Sequence, residues 1–316
     1  TIAETEGSTG VDESGSTDIF SVVLNAQPNS DVVFAISSSD TGEATVTSSL
    51  TFTSANWDTA QTVTVTGVDD DLIDGTISSS ITVAVNDGSS DDNFDAVADQ
   101  TVSVTTTDDD VAGFTIAETS GSTGVDESGS TDIFTVVLNA EPSSNVVLDI
   151  TSSDTGEATV TSSLTFTSAN WDTAQTVTVT GVDDDLIDGT ISSSITVAVN
   201  DGSSDDNFDA VADQTVSVTT TDDDVAGFTI AETEGSTGVD ESGSTDLFTV
   251  VLNAQPTTDV VLSISSADTG EATVTSSLTF TSSNWDTAKT VTVTGVDDNI
   301  IDCLLYTSDA ADENPS

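Results

Sequence analysis

The chain has 316 residues, in which 57 acidic side chains accompany one basic residue, Lys289, and the formal net charge is -56. Nucleic-acid binding needs clustered Lys and Arg to contact phosphates, so this composition argues against nucleic acid as a partner. No apolar run approaches the roughly 20 residues of a membrane-spanning helix, so membrane insertion of this segment is not expected.

Three copies of one sequence follow each other along the chain. The string TIAET begins at Thr1, Thr115 and Thr229, and these positions are 114 residues apart, a common domain size. This period predicts repeat 1 at 1–111, repeat 2 at 112–225 and a truncated repeat 3 at 226–302. The segment 303–316, with the only cysteine, Cys303, matches no part of the repeat and resembles translated sequencing-adapter sequence. We therefore expect a non-native tail on a fragment of a longer, metagenomic protein.

Seven runs rich in Val, Ile, Thr and Phe define the strands that we predict for repeat 2, and clusters of Gly, Asp, Asn and Ser separate them. The predicted strands are 113–118, 132–139, 145–151, 158–167, 175–181, 190–200 and 214–221. No segment shows helical periodicity of useful length. Seven short strands in about 110 residues predict an all-β fold of tandem, seven-stranded immunoglobulin-like sandwiches.

Acidic residues collect in alternate loops of this predicted sandwich. If each strand runs antiparallel to the one before it, the loops after the first, third, fifth and seventh strands lie at one end. These loops carry Glu118, Asp126 and Glu127, then Asp154 and Glu157, then Asp183, Asp184, Asp185 and Asp188, and finally Asp222, Asp223 and Asp224. At the opposite end only the loop 201–213 is acidic, and we interpret it as solvated.

Convergent carboxylates favour calcium, which takes 6 to 8 oxygen ligands. Zinc prefers His and Cys, which the repeats lack, and magnesium stays open although its rigid octahedral geometry suits such loops less well. An odd strand count also places entry and exit at opposite ends, so successive repeats are expected to form a rod. Only Val225 and Ala226 separate the triplet 222–224 from the next strand, so bound cations are expected to stiffen that joint.

Three segments of repeat 2 stand out: VDESGS at 125–130, GVDDDLID at 181–188 and TDDDVAGF at 221–228. Together they resemble Calx-beta domains, which occur in sodium-calcium exchangers and integrins and recur in bacterial surface proteins. The resemblance implies a calcium-binding sandwich whose ligands in repeat 2 are Glu127, Asp154, Asp183, Asp184, Asp188, Asp222, Asp223 and Asp224. Their counterparts in repeat 1 are Glu13, Asp40, Asp69, Asp70, Asp74, Asp108, Asp109 and Asp110. The family often has further glutamates after the fifth strand, where this chain has Gly189, so the number of ions per repeat stays open.

The leading interpretation is a set of calcium-binding, calcium-rigidified extender repeats of a bacterial cell-surface or secreted adhesion protein. Neighbouring repeats would be the partners of each repeat, and other domains of the parent would contact surface glycans or proteins. One alternative is a glycan- or partner-binding module that uses Trp171, although Trp57, Trp171 and Trp285 are interpreted as covers of each core. Another is an acidic spacer without specific metal binding. An enzyme is not expected, because His and Arg are absent and no pattern marks a cleft.

Overall fold

Strands make up almost all of the regular structure in the computed structural model of the chain, which describes residues 1–5 and 7–297. Three short 3-10 helices accompany them, at Asp87–Ser89, Asp201–Ser203 and Asp206–Phe208. No helix among the described residues has both the length and the apolarity needed to cross a bilayer. The predicted end of repeat 3 at 302 and the predicted tail at 303–316 lie outside the described residues.

Each of the first two repeats contains nine strands. Those of repeat 1 are β1 Ile2–Glu4, β2 Thr9–Asp12, β3 Thr17–Val22, β4 Val32–Ser38, β5 Ala44–Val46, β6 Ser49–Phe52, β7 Gln61–Gly67, β8 Ile77–Val85 and β9 Gln100–Thr107. Those of repeat 2 are β10 Phe114–Glu118, β11 Thr123–Asp126, β12 Thr131–Leu138, β13 Val146–Ser152, β14 Ala158–Val160, β15 Ser163–Phe166, β16 Gln175–Gly181, β17 Ile191–Val199 and β18 Gln214–Thr221. The described part of repeat 3 contains β19 Phe228–Glu232, β20 Thr245–Leu252, β21 Val260–Ser263, β22 Ala272–Val274, β23 Ser277–Phe280 and β24 Lys289–Gly295.

Two sheets form the sandwich of repeat 1, with the strand orders β1-β3-β7-β5 and β2-β9-β8-β4-β6. Side chains alternate along each strand between the core and the solvent, as in β8, where Ile81 is fully buried and its neighbours are only half-buried. Phe20, Phe52 and Val63 are also fully buried between the sheets. The same two strand orders recur in repeat 2 as β10-β12-β16-β14 and β11-β18-β17-β13-β15. The predicted all-β tandem sandwich fold is therefore confirmed.

The count of seven strands per repeat misses two features of this sandwich. The predicted strand 158–167 consists of β14 and β15, which belong to different sheets, so the chain crosses between sheets near Thr161. The second feature is β11, which was predicted as part of a loop. It follows a turn at Gly121, whose φ of 78° lies in the left-handed region, and it joins the sheet opposite to that of β10.

The described residues divide into two compact units. The first comprises residues 1–123, 131–180 and 193–218, and the second comprises 124–130, 181–192 and 219–297. Apolar strand residues of repeat 3, in the second unit, are exposed: Phe228 and Ile230 show 52% and 53% of their surface. Phe114, the counterpart of Phe228 in repeat 2, is only 3% exposed. The repeat boundaries at 111/112 and 225/226 stay predictions.

In repeats 1 and 2, the end of the sandwich opposite to the acidic loops is closed by aromatic residues and by one buried carboxylate. Trp57 packs against the core of repeat 1, as interpreted from the sequence. The interpretation of 201–213 as a solvated loop is wrong in part, because Phe208 is fully buried and Asp205 nearly so. Asp205 accepts hydrogen bonds from the Ser143 hydroxyl and the Ser144 N–H, at 2.7 and 2.8 Å, and so joins two loops.

Candidate metal centre

Glu13 occupies the centre of the acidic end of repeat 1. It follows β2 directly, and its N–H donates to the Thr107 carbonyl at 3.1 Å, which continues the parallel pairing of β2 with β9. The neighbouring strand β7 ends at Gly67, where a Cβ would overlap the carbonyl oxygen of Asp12. Only glycine fits that close approach, so the first acidic loop can lie directly against the end of β7.

Two groups of carboxylates meet at the Glu13 side chain. Oxygens of Glu13, Asp70 and Asp110 lie within 4.8 Å of one another, and so do oxygens of Glu13, Glu43 and Asp74. These residues come from the loops after β2, β4, β7 and β9. The predicted convergence of alternate loops is therefore present in repeat 1.

Glu13 is 1% exposed, and neither of its carboxylate oxygens receives a hydrogen bond from any residue that the structure describes. One oxygen each of Glu43 and Asp110 is likewise buried without a donor among the described residues. A buried carboxylate normally has donors or a cation beside it, because burial of an uncompensated charge is costly. Here the neighbours are other carboxylates.

Burial and these neighbouring charges favour the protonated form of the cluster. Burial first, and then the negative charges of Asp108 and Asp70, raise the pKa of Glu13 to about 7. Burial, with the nearby Asp108, raises the pKa of Asp110 to about 6. The pKa values of Glu43 and Asp74 are raised too, in both cases chiefly by burial. Without a cation, the cluster can lower this cost only by binding protons.

Asp108 supports the cluster from its edge. Its Oδ2 accepts a hydrogen bond from the Gly75 N–H at 2.8 Å, and its Oδ1 accepts one from the Asp110 N–H at 2.7 Å. Asp70 is held in a similar way, since its Oδ1 accepts from the Leu72 N–H at 2.9 Å. Backbone donors thus fix two of the acidic loops before any ligand is bound.

The corresponding site of repeat 2 is similar, but Asp222, the counterpart of Asp108, joins its first group, and Asp184, the counterpart of Asp70, does not. Oxygens of Glu127, Asp222 and Asp224 lie within 4.8 Å of one another, and Glu127 and Asp188 are equally close. Glu127 is 1% exposed. Burial, together with the charge of Asp185, raises the pKa of Asp224, whereas backbone hydrogen bonds from Gly189 and Asp224 lower the pKa of Asp222.

Half of the ligands predicted from the sequence belong to these groups. The structure brings together Glu13, Asp70, Asp74, Asp110, Glu127, Asp188, Asp222 and Asp224. The other predicted ligands lie outside the groups: Asp40, Asp69, Asp108, Asp109, Asp154, Asp183, Asp184 and Asp223. Asp40 shows why, since it is exposed and its Oδ1 accepts from the Gly42 N–H at 3.0 Å, which makes a local turn. The role of all sixteen as ligands stays a prediction.

Glu43 is the member of the cluster that the set of predicted ligands omits. It is 7% exposed, and its counterpart Glu157 is 8% exposed. The signal in the sequence was the string TGEATV, which places a glutamate directly before a short strand in every copy. An acidic residue next to a buried alanine, Ala44 or Ala158, marks a carboxylate that turns inward.

Comparisons with known proteins identify no family for the chain. No family model matches it, and no curated protein matches its sequence. Solved structures match at low similarity. The calcium binding domain CBD12 of CALX1.1 has a TM-score of 0.27 and 15% identity over 63% of this chain and 80% of that chain.

Two further structures match at a similar level. The S-layer protein SbsC domains 4 and 5 have a TM-score of 0.30 and 19% identity over 63% of this chain and 73% of theirs. The apo form of the Calx CBD1 domain has a TM-score of 0.26 and 17% identity over 35% of this chain and 98% of that chain. At this level of similarity, the ligand of the chain has to be argued from its own residues.

Proposed function

We propose that the acidic ends of repeats 1 and 2 bind calcium. The observation that carries this proposal is Glu13, a fully buried carboxylate with no donor among the described residues and with other carboxylates on two sides. The chain offers no basic side chain to neutralise it, since the one lysine, Lys289, contacts the Thr279 carbonyl and the Phe280 ring. A divalent cation supplies the missing positive charge.

The donor set suits calcium. Every candidate ligand is an oxygen, and the groups combine carboxylates from four loops, which matches the 6 to 8 oxygens and variable geometry of this ion. Magnesium demands near-ideal octahedral geometry and keeps several waters, and a crowded set of carboxylates fits it less well. Because Glu13 belongs to both groups of repeat 1, we propose two ions per repeat, bridged by Glu13.

The wider role follows from repetition. Near-identical tandem sandwiches suit a spacer, which needs length and stiffness more than a unique binding surface. We propose calcium-rigidified extender repeats of a secreted or cell-surface bacterial adhesion protein, without enzymatic activity of their own. Neighbouring repeats are then the immediate partners, and glycans or surface proteins are contacted by other domains of the parent protein. A strongly acidic surface that has one lysine supports this role over nucleic-acid binding.

Titration calorimetry of the full chain with calcium and with magnesium tests the proposal. We expect calcium to bind more tightly than magnesium, and we expect Glu13→Gln and Glu127→Gln each to remove the sites of one repeat. Asp58→Asn, which removes one charge from an exposed position outside the groups, is the matched control and should bind as the parent chain does. If all three variants bind calcium like the parent, the chain is an acidic spacer without a specific site.

A further inference from the structure

Repeat 2 holds the loop of repeat 1 that carries two of the candidate ligands. The Glu141 N–H donates to the Asp71 carbonyl at 2.6 Å, and the Ile73 N–H donates to the Glu141 carbonyl at 3.4 Å, so Leu72 and Glu141 form a parallel β-bridge. The Asn207 side chain adds a third contact, because its Nδ2 donates to the Ile73 carbonyl at 3.0 Å. Three hydrogen bonds between this segment and the next repeat therefore fix the backbone at 71–73.

Candidate ligands flank this segment on both sides. Asp70 precedes it and belongs to one carboxylate group, and Asp74 follows it and belongs to the other. The Leu72 N–H, in the middle of the segment, also donates to Asp70 Oδ1. Any shift of the backbone at 71–73 therefore moves both carboxylates relative to Glu13.

The side-chain contact distinguishes repeat 2 from repeat 1. In repeat 1 the counterpart of Asn207 is Asn93, whose Nδ2 donates to Asp91 Oδ1 at 2.7 Å within its own repeat. The backbone contact, by contrast, recurs between repeats 2 and 3, where the Gln255 N–H donates to the Asp185 carbonyl at 2.6 Å. The side-chain amides of these two equivalent asparagines thus have different partners: that of Asn93 lies within its own repeat, and that of Asn207 lies in the preceding repeat.

We infer that Asn207 is a positioning residue for the cation site of repeat 1, and that the docked repeat 2 raises the calcium affinity of that site. The inference rests on the proposed calcium binding. A loop that is already held in its bound geometry loses less conformational entropy when the ion binds, so the ion binds more tightly. Linkage requires the reverse effect as well: the bound ion must strengthen the contact between the loop and repeat 2 to the same extent.

The test uses the full chain with Glu127→Gln, in which the calcium affinity of repeat 1 is measured without the site of repeat 2. In this background we expect Asn207→Ala to weaken calcium binding by about fivefold or more. Asn207→Asp keeps the size of the side chain but removes the donor, so we expect at least the same loss. Asn93→Ala is the matched control, because it removes the same side chain from repeat 1 itself, and we expect it to change the affinity by less than about twofold.

A second measurement, hydrogen exchange, reports directly on the contact between the loop of repeat 1 and repeat 2. Calcium should slow hydrogen exchange at the Glu141 amide in the Glu127→Gln chain, and it should have no such effect when Glu13→Gln is added. Unchanged affinity in both Asn207 variants would overturn the inference while leaving calcium binding intact, and so would an Asn93→Ala loss equal to that of Asn207→Ala. Absence of any calcium binding in the Glu127→Gln chain would instead contradict the proposed function.

Discussion

Gly75 and Asp108 are joined by a hydrogen bond of 2.8 Å from the glycine N–H to Oδ2 of the carboxylate. This bond connects the loop after β7 to the loop after β9, the two acidic loops on either side of Glu13. Gly75 has a φ of 77°, in the left-handed region that favours glycine. Gly189 and Asp222 repeat the bond at 2.8 Å in repeat 2, so one glycine conformation helps to shape each candidate site.

The Gly75→Ala substitution tests how much this hydrogen bond contributes to stability and to calcium binding. A Cβ at position 75 would meet no atom within 4 Å, so the cost is backbone strain alone, about 1 kcal/mol of the free energy of unfolding. We also expect weaker calcium binding, because relief of the strain pulls the Gly75 N–H away from Asp108. Gly88→Ala is the control, since Gly88 has no left-handed φ and the nearest atom to its Cβ is 3.9 Å away. Urea unfolding and calcium titration should separate the two variants, and equal behaviour would contradict the role of Gly75.

The sequence alone predicted the two-layered β-sandwich and the end of the sandwich at which the acidic side chains meet. Clean alternation in runs such as Gln175–Gly181 identified strands to the residue, because one face must pack while the other meets water. The assumption that each strand runs antiparallel to the one before it set the direction of successive strands. That direction brought Glu13, Asp70 and Asp110 together from three separate loops, as the structure shows.

Features that depend on contacts between distant segments could not be predicted. The strand β11 has only four residues and is defined by its pairing with β18. No local sequence pattern predicts this pairing. Which carboxylates turn inward depends on turn geometry: Asp40 is used to make a turn, and Glu43, three residues later, is buried. Asn207 and Ile73, which are in contact, are 134 residues apart in sequence, and Asn93, the equivalent of Asn207 in repeat 1, has a different partner.

Glu13→Gln should stabilise the chain in the presence of a chelator. The amide keeps the size of the side chain and removes a buried charge that lies among other carboxylates, so the free energy of unfolding should rise by on the order of 2 kcal/mol. Calcium should then add less stability to the variant than to the parent chain, because a bridging ligand is lost. Asp58→Asn, at an exposed position, should change neither value appreciably. Thermal unfolding with and without calcium measures both effects. A Glu13→Gln variant that is less stable than the parent in chelator would contradict the claim that the charge of Glu13 destabilises the calcium-free chain.

The stability of the calcium-free chain should fall as the pH rises through the acidic range. Burial raises the pKa of Glu13 from 4.5 to about 7, so between these values the folded state holds a proton that the unfolded chain has released. The free energy of unfolding therefore declines from about pH 4.5 to about pH 7, by on the order of 3 kcal/mol for this group. Calcium should replace the proton and flatten the decline. Urea unfolding across this range, with chelator or with calcium, gives the two curves, and parallel curves would contradict the prediction.

Asp91→Asn should destabilise repeat 1, although it makes the same chemical change as Glu13→Gln. Asp91 is 5% exposed, and its oxygens accept hydrogen bonds from the N–H groups of Asn29, Ser30 and Asn93, at 2.6, 3.2 and 3.0 Å. These bonds, that of Asn93 first, lower the pKa of Asp91 in the folded chain below its usual value of 3.8. The ionised Asp91 therefore stabilises the fold above pH 3.8, and this stabilisation is lost as the pH falls through the lowered pKa.

An amide at position 91 would direct its own NH₂ group towards one pair of these donors, and a buried donor left without an acceptor costs about 1 to 3 kcal/mol. We therefore expect Asp91→Asn to lower the free energy of unfolding by roughly 2 kcal/mol, equally with chelator and with calcium. Glu13→Gln should do the opposite in chelator, because Glu13 has no donor among the described residues. The opposite signs distinguish a carboxylate that the protein itself satisfies from one that is left for a cation. If both variants shift the urea midpoint in the same direction in chelator, the charge of Glu13 is compensated without an ion.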